Sequence, residues 1–236
     1  MLKLNSFCHT MLDSDDTLLF SFVNPYSYYI FEDNINESDT GDFTLFADGI
    51  SLVNMNNFFN PRKIITRASF DFTSLAPIVF EYCVEKKLKL AIVGGNADEI
   101  TKAIEVLRSR FLDLDIVYYR DGFFELDDVT VYDDINNARA DFVLSGMGTP
   151  KQEQFLIQVK RHCPSLRIGF TCGGFLTQIA SNPEYFSPLM NRLHLRWLQR
   201  FIRHSFVRKR VIFDYPLFFL KFAWQQVKFR NIEEEK

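Results

Sequence analysis

Glycine is scarce in this 236-residue chain, with ten copies. None falls into G-x-G-x-x-G, and no P-loop lysine follows any of them, so the two commonest phosphate-cradling signatures are missing. The four cysteines (Cys8, Cys83, Cys163 and Cys172) are far apart and form no C-x-x-C pair, which sets aside a zinc ribbon and a disulfide framework. No leader pattern is visible, so reduced thiols in a cytoplasmic protein are expected. The four histidines, His9, His162, His194 and His204, show neither H-x-x-H nor H-E-x-x-H spacing. Asp113 and Asp115 form a D-x-D, but ahead of "IVYY" rather than after a strand. No metal site and no bound cofactor are expected. Long apolar runs are also missing: "TLLFSFV" (17–23) and "YPLFFLKFAW", with Lys221 inside it, are too short to span a bilayer. A Ser-His-Asp triad has no nucleophile elbow to support it.

What is present is apolar mass and asymmetric charge. Hydrophobic residues make up 47% and charged residues 24%, enough for a packed core, and phenylalanine alone occurs 26 times. Residues 192–236 carry 11 Lys/Arg against 4 Asp/Glu, whereas residues 1–191 carry 16 against 26. A basic tail on an acidic body points to an anionic partner for the tail only. Short apolar runs at 17–23, 43–47, 88–94, 114–119, 141–146 and 166–171 read as strands. Helix-period stretches such as 97–111 and 151–162 lie between them. The alternation predicts an α/β fold: a Rossmann-like, mostly parallel sheet with helices on both faces. Composition shifts near Tyr185. Residues 1–185 are read as the catalytic body and 186–236 as a basic, aromatic-rich helical appendage.

Several strand ends carry polar or glycine-rich turns, the places where α/β proteins bind ligands. "IVGGN" puts Gly94, Gly95 and Asn96 between a strand and a helix start, suited either to a phosphate contact or to a capped turn. "LFADGISLV" ends a strand at Asp48, well placed to take a proton from a substrate hydroxyl, or an ordinary Asp-Gly turn. Asn24 ends the first strand ahead of Pro25. In "SGMGTPKQEQF", Gly146 and Gly148 form a turn, Pro150 takes the first helical position, and Gln152 and Glu153 fall in the first turn. Those two side chains start a helix well, and they are also placed to hold polar groups of a ligand across the strand ends. "TCGGFLTQIAS" repeats the pattern with Gly173 and Gly174.

In the tail, Arg192, Arg196, Arg200 and Arg203 recur at 4, 4 and 3, one face of a helix. Arg208, Lys209 and Arg210 follow, then aromatics interleaved with Lys221, Lys228 and Arg230. This mixture suits the headgroup layer of an anionic membrane or a diphosphate. Single-stranded nucleic acid would also suit it, but the acidic body repels a polyanion, so no nucleic-acid partner is expected.

Taken in order, "ADGISLV", "IVGGN", "GMGTPKQEQF", "CGGFLTQIA" and "LHLRWLQRFIRHSFVRKR" resemble the WecG/TagA/CpsF glycosyltransferases, glycosyltransferase family 26, from about Phe22 to Tyr215. The resemblance implies inverting transfer of a hexose from a UDP-sugar to a polyprenyl-diphosphate-linked sugar acceptor in bacterial surface-polysaccharide synthesis, usually without a metal. The hexose would be N-acetylmannosamine, its uronic acid, glucose or similar. It implies Asp48 as the base, Asn24, Gln152 and Glu153 at substrate, Arg67 and Asp71 as specificity residues, and Arg200 and Arg210 on the lipid diphosphate. There are departures. Phe22 stands where the family has the threonine of T-x-N, Val207 where it has a tail arginine (Arg208 is adjacent), and Arg196 where it has a glutamate. The chain would work as a peripheral protein on the cytoplasmic face of the membrane, and homo-oligomerisation is compatible with this reading. Two rivals are a nicotinamide-dependent oxidoreductase, since "AIVGGN" superficially suits a dinucleotide, and a non-catalytic membrane-associated scaffold.

Overall fold

A computed structural model describes residues 1–14, 16–181 and 208–234, with the backbone alone for Arg210 and residues 229–234. Seven strands form one sheet: β1 (Leu4–Asn5), β2 (Leu18–Val23), β3 (Phe43–Ala47), β4 (Lys89–Gly94), β5 (Asp115–Arg120), β6 (Phe142–Gly146) and β7 (Ile168–Thr171). Their spatial order is β1-β3-β2-β7-β6-β4-β5, and every neighbouring pair is parallel. Six of the seven coincide within two residues with the apolar runs read from sequence. The reason is burial: all four residues of β7 and the last five of β4 are buried, and strands covered on both faces are written as unbroken apolar runs.

The covering helices divide into two layers, each with its own apolar cluster. One face lies beneath α1 (Ser27–Asn34), α3 (Ile50–Phe59), α6 (Val129–Asn137) and α7 (Lys151–His162). The short α2 (Glu37–Thr40) joins α1 to β3. The other face lies beneath α4 (Leu75–Glu85), α5 (Ala97–Arg110) and α8 (Phe175–Ser181). Helix α5 starts as its sequence dictates. The Asn96 side chain accepts from the Glu99 backbone N–H at 2.9 Å while the Glu99 carboxylate takes the Asn96 N–H at 2.8 Å, a reciprocal capping box. Arg108 and Arg110 sit in its last turn, opposite the dipole's negative end. Helix α7 begins one residue later than expected, with Pro150 as its N-cap and Glu153 in its first turn.

After a π-helical turn at Arg210–Asp214, the chain ends in the long helix α9 (Tyr215–Glu234). Phe218 and Phe222 are buried in the first apolar cluster, each with its ring centroid 5.6 Å from that of Tyr28 on α1. Phe222 also meets Phe59 of α3 at 6.4 Å, and the Tyr29 hydroxyl donates to Gln225 Oε1 at 2.8 Å. The end of the appendage is thus part of the body's core on that face and does not hang free of it. The boundary drawn after Tyr185, and the arginine face over 192–203, lie outside the described residues.

Candidate active site

A cavity of about 600 Å³ opens over the carboxyl ends of β2, β3 and β7, within the usual range for small-ligand sites. Its polar wall is built on β3. Asp48 follows the last residue of that strand, and its backbone N–H donates to Val23 O at 2.9 Å, tying it to the end of β2. Arg67 pairs with Ala47 in an isolated parallel bridge, and Ala68 N–H donates to Ala47 O at 3.0 Å. That places the Arg67 guanidinium on Asp48: Nε donates to the backbone O at 2.6 Å and a terminal nitrogen to Oδ1 at 2.7 Å. The same terminal nitrogen lies 4.0 Å from Asp71 Oδ2. Asp71, buried, accepts from Ser69 Oγ at 2.7 Å, from Thr73 N–H at 2.9 Å and from the Thr73 hydroxyl. One guanidinium therefore spans two carboxylates, and an ionised carboxylate so held has further acceptor capacity for a substrate hydroxyl.

Asn24, just past the end of β2, has its Oδ1 committed to the backbone: it accepts from Tyr26 N–H at 2.9 Å and Ser27 N–H at 3.2 Å, starting α1. That bonding uses only the oxygen of the amide. Phe22, two residues earlier, lines the cavity and is held by Phe46, Phe70 and Phe170 at 5.6–6.3 Å. An aromatic surface thus stands where the resemblance would put a hydroxyl.

The opposite rim is made by the turns after β6 and β7. Gly148 (φ 79°) and Gly173 (φ 52°) are in the left-handed region, and a side chain at either would meet nothing within 4 Å. Glycine is needed there for backbone conformation, not for lack of room. Gln152 joins the two turns: its Oε1 accepts from Gly173 N–H at 3.1 Å and its Nε2 donates to Thr149 Oγ1 at 3.2 Å. Cys172 also lines the cavity, but burial pushes its thiol up, away from thiolate chemistry.

The expected site residues do not all fall in one place. Asn24, Asp48, Asp71, Gly148, Gln152, Gly173 and Gly174 line one cavity, and Arg67 reaches in through Asp48. Glu153 does not line it. Its side chain is wholly buried beneath the rim, not on the cavity wall where a residue expected to hold a ligand would stand; burial raises its carboxyl above the usual carboxylate range, against hydrogen bonds from Gln152, Ser21 and Thr149. Gly94, Gly95 and Asn96 lie away from the cavity, at the edge where chain connections diverge between β4 and β6. There a Cβ on Gly94 would come within 2.5 Å of Gly146 O, and Gly122 N–H donates to Gly95 O at 2.9 Å. At the Gly-Gly turn the structure shows close loop packing and a helix cap. Pro150 starts α7. Arg208 is exposed, whereas Arg200 and the Arg210 side chain lie outside the described residues. Sequence reasoning missed Ser69, Thr171 and Gln178, which also line the cavity; the available signal for Thr171 was a hydroxyl closing an otherwise apolar strand. Among the described residues, no group of three or more His, Cys, Asp or Glu is arranged to hold a metal ion.

A parallel α/β sheet with a polar cavity over its strand ends is the usual ligand-binding place of α/β proteins, and comparison with known proteins supplies the class. Residues 4–232 match the model of the "Glycosyl transferase WecG/TagA/CpsF family". The chain belongs to that family and is a glycosyltransferase. It is 38% identical over 203 residues to the UDP-Gal:alpha-D-GlcNAc-diphosphoundecaprenol beta-1,4-galactosyltransferase of Shigella boydii, covering 86% of this chain and 84% of that protein. It is 28% identical over 169 residues to the N-acetylglucosaminyldiphosphoundecaprenol N-acetyl-beta-D-mannosaminyltransferase of Bacillus subtilis (strain 168), covering 71% and 64%. The enzyme of that name from Staphylococcus aureus (strain MW2) is 23% identical over 143 residues, covering 61% and 55%.

Proposed function

We propose that this chain transfers galactose from UDP-galactose to N-acetylglucosamine carried on a polyprenyl diphosphate, forming a β-linked disaccharide for a bacterial surface polysaccharide. The observation that carries the donor is the 38% identity to a galactosyltransferase over 86% of the chain; galactose is a hexose similar to the glucose that the resemblance named. The acceptor is common to the names of that relative and the mannosaminyltransferases. In the reaction, Asp48 accepts the proton of the acceptor hydroxyl, whose oxygen attacks the anomeric carbon from the face opposite UDP. The C–O bond to the diphosphate breaks with its electron pair leaving on UDP. Arg67 keeps Asp48 aimed at the cavity, and Gly173, Gly174 and the first turn of α7 offer backbone surface to the leaving diphosphate.

The membrane side of this reading is supported by α9 and the turn before it. Phe213, Leu217, Leu220, Trp224 and Val227 are exposed and recur at 4, 3, 4 and 3, a stripe on the side away from buried Phe218 and Phe222. Arg208, Lys209, Lys221 and Lys228 lie on the same segment. Apolar and basic residues together suit an anionic bilayer surface on the cytoplasmic face, where the acceptor's diphosphate is held. Among the described residues no helix is long and apolar enough to cross a membrane. Against the oxidoreductase rival stands the match of residues 4–232 to a glycosyltransferase family.

The test is transfer by the full chain to a short-lipid GlcNAc diphosphate from UDP-galactose, UDP-glucose and UDP-N-acetylmannosamine in parallel, with product mass and linkage determined. Preference for UDP-galactose is expected. Transfer only from another donor would overturn the galactose assignment, and no transfer from any would overturn the reading.

A further inference from the structure

Beneath the cavity rim lies a buried polar belt that the reaction as drawn does not use. Ser145 on β6 pairs in register with Thr171 on β7, and Thr171 Oγ1 donates to Ser21 Oγ on β2 at 3.0 Å. Ser21 Oγ in turn donates to Glu153 Oε1 at 2.7 Å. That same carboxyl oxygen accepts from Thr149 Oγ1 at 3.0 Å and from Gln152 Nε2 at 2.9 Å. Glu153 Oε2 and Ser145 Oγ are buried without a protein partner. Placing an acid here is expensive, because a buried carboxyl with one oxygen unmatched gains less than an apolar side chain of the same volume would. A packing role alone would be met better by leucine.

What the acid does is determined by its donors. Oε1 accepts from all three, so the Gln152 amide must turn its NH2 toward it. The other end of that amide, the oxygen, then faces Gly173 N–H at 3.1 Å. Reversed, the amide would set NH2 against N–H at Gly173 and oxygen against oxygen at Glu153, losing both bonds. Gly173 sits in a left-handed conformation on the rim, with open space around it.

We propose that Glu153 is a positioning residue: it sets the orientation of the Gln152 amide, which holds the Gly173–Gly174 turn in the shape that receives the substrate's leaving diphosphate. The last clause rests on the glycosyl-transfer reading; the orientation of Gln152 does not. Glu153 acts as a hydrogen-bond acceptor and exchanges no proton with substrate.

The test exploits complementarity between neighbours. Glu153→Gln keeps an acceptor oxygen for the three donors and is expected to retain kcat/KM within about threefold, with an unchanged pH profile of kcat. Glu153→Leu is expected to lose about 10–100-fold, an extent typical of misplaced binding groups. Gln152→Glu keeps an acceptor for Gly173 but cannot donate to Glu153, and it should lose as much. The double exchange Gln152→Glu with Glu153→Gln restores a donor–acceptor pair with its direction reversed, the Ser21 and Thr149 hydroxyls turning to accept from the new NH2, and at least tenfold of the loss should return. UDP affinity, measured by calorimetry on the same variants, should fall and recover in the same order, giving a readout that needs no knowledge of donor or acceptor sugar. If the parent binds UDP but transfers nothing, the functional reading fails while the UDP series still tests the positioning. The proposal is overturned if Glu153→Gln is as impaired as Glu153→Leu, if Glu153→Leu folds and works normally, or if the double exchange is no better than Gln152→Glu alone. Should Glu153→Leu not fold, the single and double Gln152 variants decide alone.

Discussion

Changing Asp48 to asparagine keeps the side chain's shape and removes its charge and its ability to take a proton. The structure lets the two consequences be separated by size. The Arg67 Nε bond at 2.6 Å goes to the Asp48 backbone oxygen, which the substitution leaves alone. The second bond, to Oδ1 at 2.7 Å, survives as a neutral amide oxygen accepting from a cation, weaker by about 1 kcal/mol. Both side chains are about one-fifth exposed (23% and 20%), so solvent screens the lost Coulomb attraction and the stability cost stays near that figure. In a domain of this size, about 1 kcal/mol moves the melting temperature by roughly 2–4 °C. Loss of a general base costs about 10²–10⁴-fold in turnover, or about 3–5 kcal/mol in the barrier. Turnover should therefore collapse in a protein that still melts within a few degrees of the parent and still binds UDP within about threefold. The assay is UDP release with lipid-linked acceptor present, beside calorimetry with UDP alone. Arg67→Ala is the companion: it leaves the carboxylate but removes its tether, and should cost about 10-fold or more in turnover through misplacement. Turnover of Asp48→Asn within tenfold of the parent would remove Asp48 from proton transfer, whatever Arg67→Ala does.

Three further outcomes are expected. Gly94→Ala places a methyl 2.5 Å from the Gly146 backbone oxygen at φ 150°; urea unfolding should show about 1–3 kcal/mol lost with the m-value unchanged, and an unaltered midpoint would mean that the loops have room to part. Phe222→Ala removes a fully buried ring from the contact with Tyr28 and Phe59, at a cost of up to about 3–5 kcal/mol. Limited proteolysis near residues 208–215 should speed up, and an unchanged cleavage rate would show α9 held by other contacts. Trp224→Ser combined with Lys228→Glu should weaken co-sedimentation with anionic vesicles by at least tenfold, since each basic residue at such a surface contributes about 1 kcal/mol. Turnover on a water-soluble acceptor should stay the same, and undiminished vesicle binding would place the membrane contact elsewhere.

Much of the sheet was legible because its strands are buried on both faces, and "AIVGG" or "FVLSG" can hardly be written otherwise. β1, two residues long at Leu4–Asn5, has no pattern to read. The rim turns were legible as glycine clusters, yet glycine clusters have more than one cause. At Gly148 and Gly173 the cause is backbone conformation alone, beside an open cavity, whereas at Gly94 close contact with Gly146 is added to it. Local sequence does not distinguish these. Glu153 was correctly placed in the first turn of α7, but its burial depends on Ser21, 132 positions away, and no local periodicity reports such a contact. In α9, Phe218 and Phe222 face the core while Leu217, Leu220 and Trp224 face out. A helix apolar on both sides does not announce which side docks.

The parallel sheet also dictates when the cavity comes into being. With no hairpin among the described strands, no pairing closes through a short turn, and the seam beneath the cavity joins β2 to β7: Leu18 pairs with Ile168 and Phe20 with Phe170. A ribosome must deliver some 170 residues, and the emerging chain must wait about 8–30 seconds at ordinary elongation rates of about 5–20 residues per second, before β2 meets this neighbour. Until then "LLFSFV" has an open edge, the kind of surface that recruits other strands or chaperones. Contacts of such long range make the substrate pocket a late event in folding, so a truncated or stalled chain carries Asp48 and Arg67 without a place for them to act.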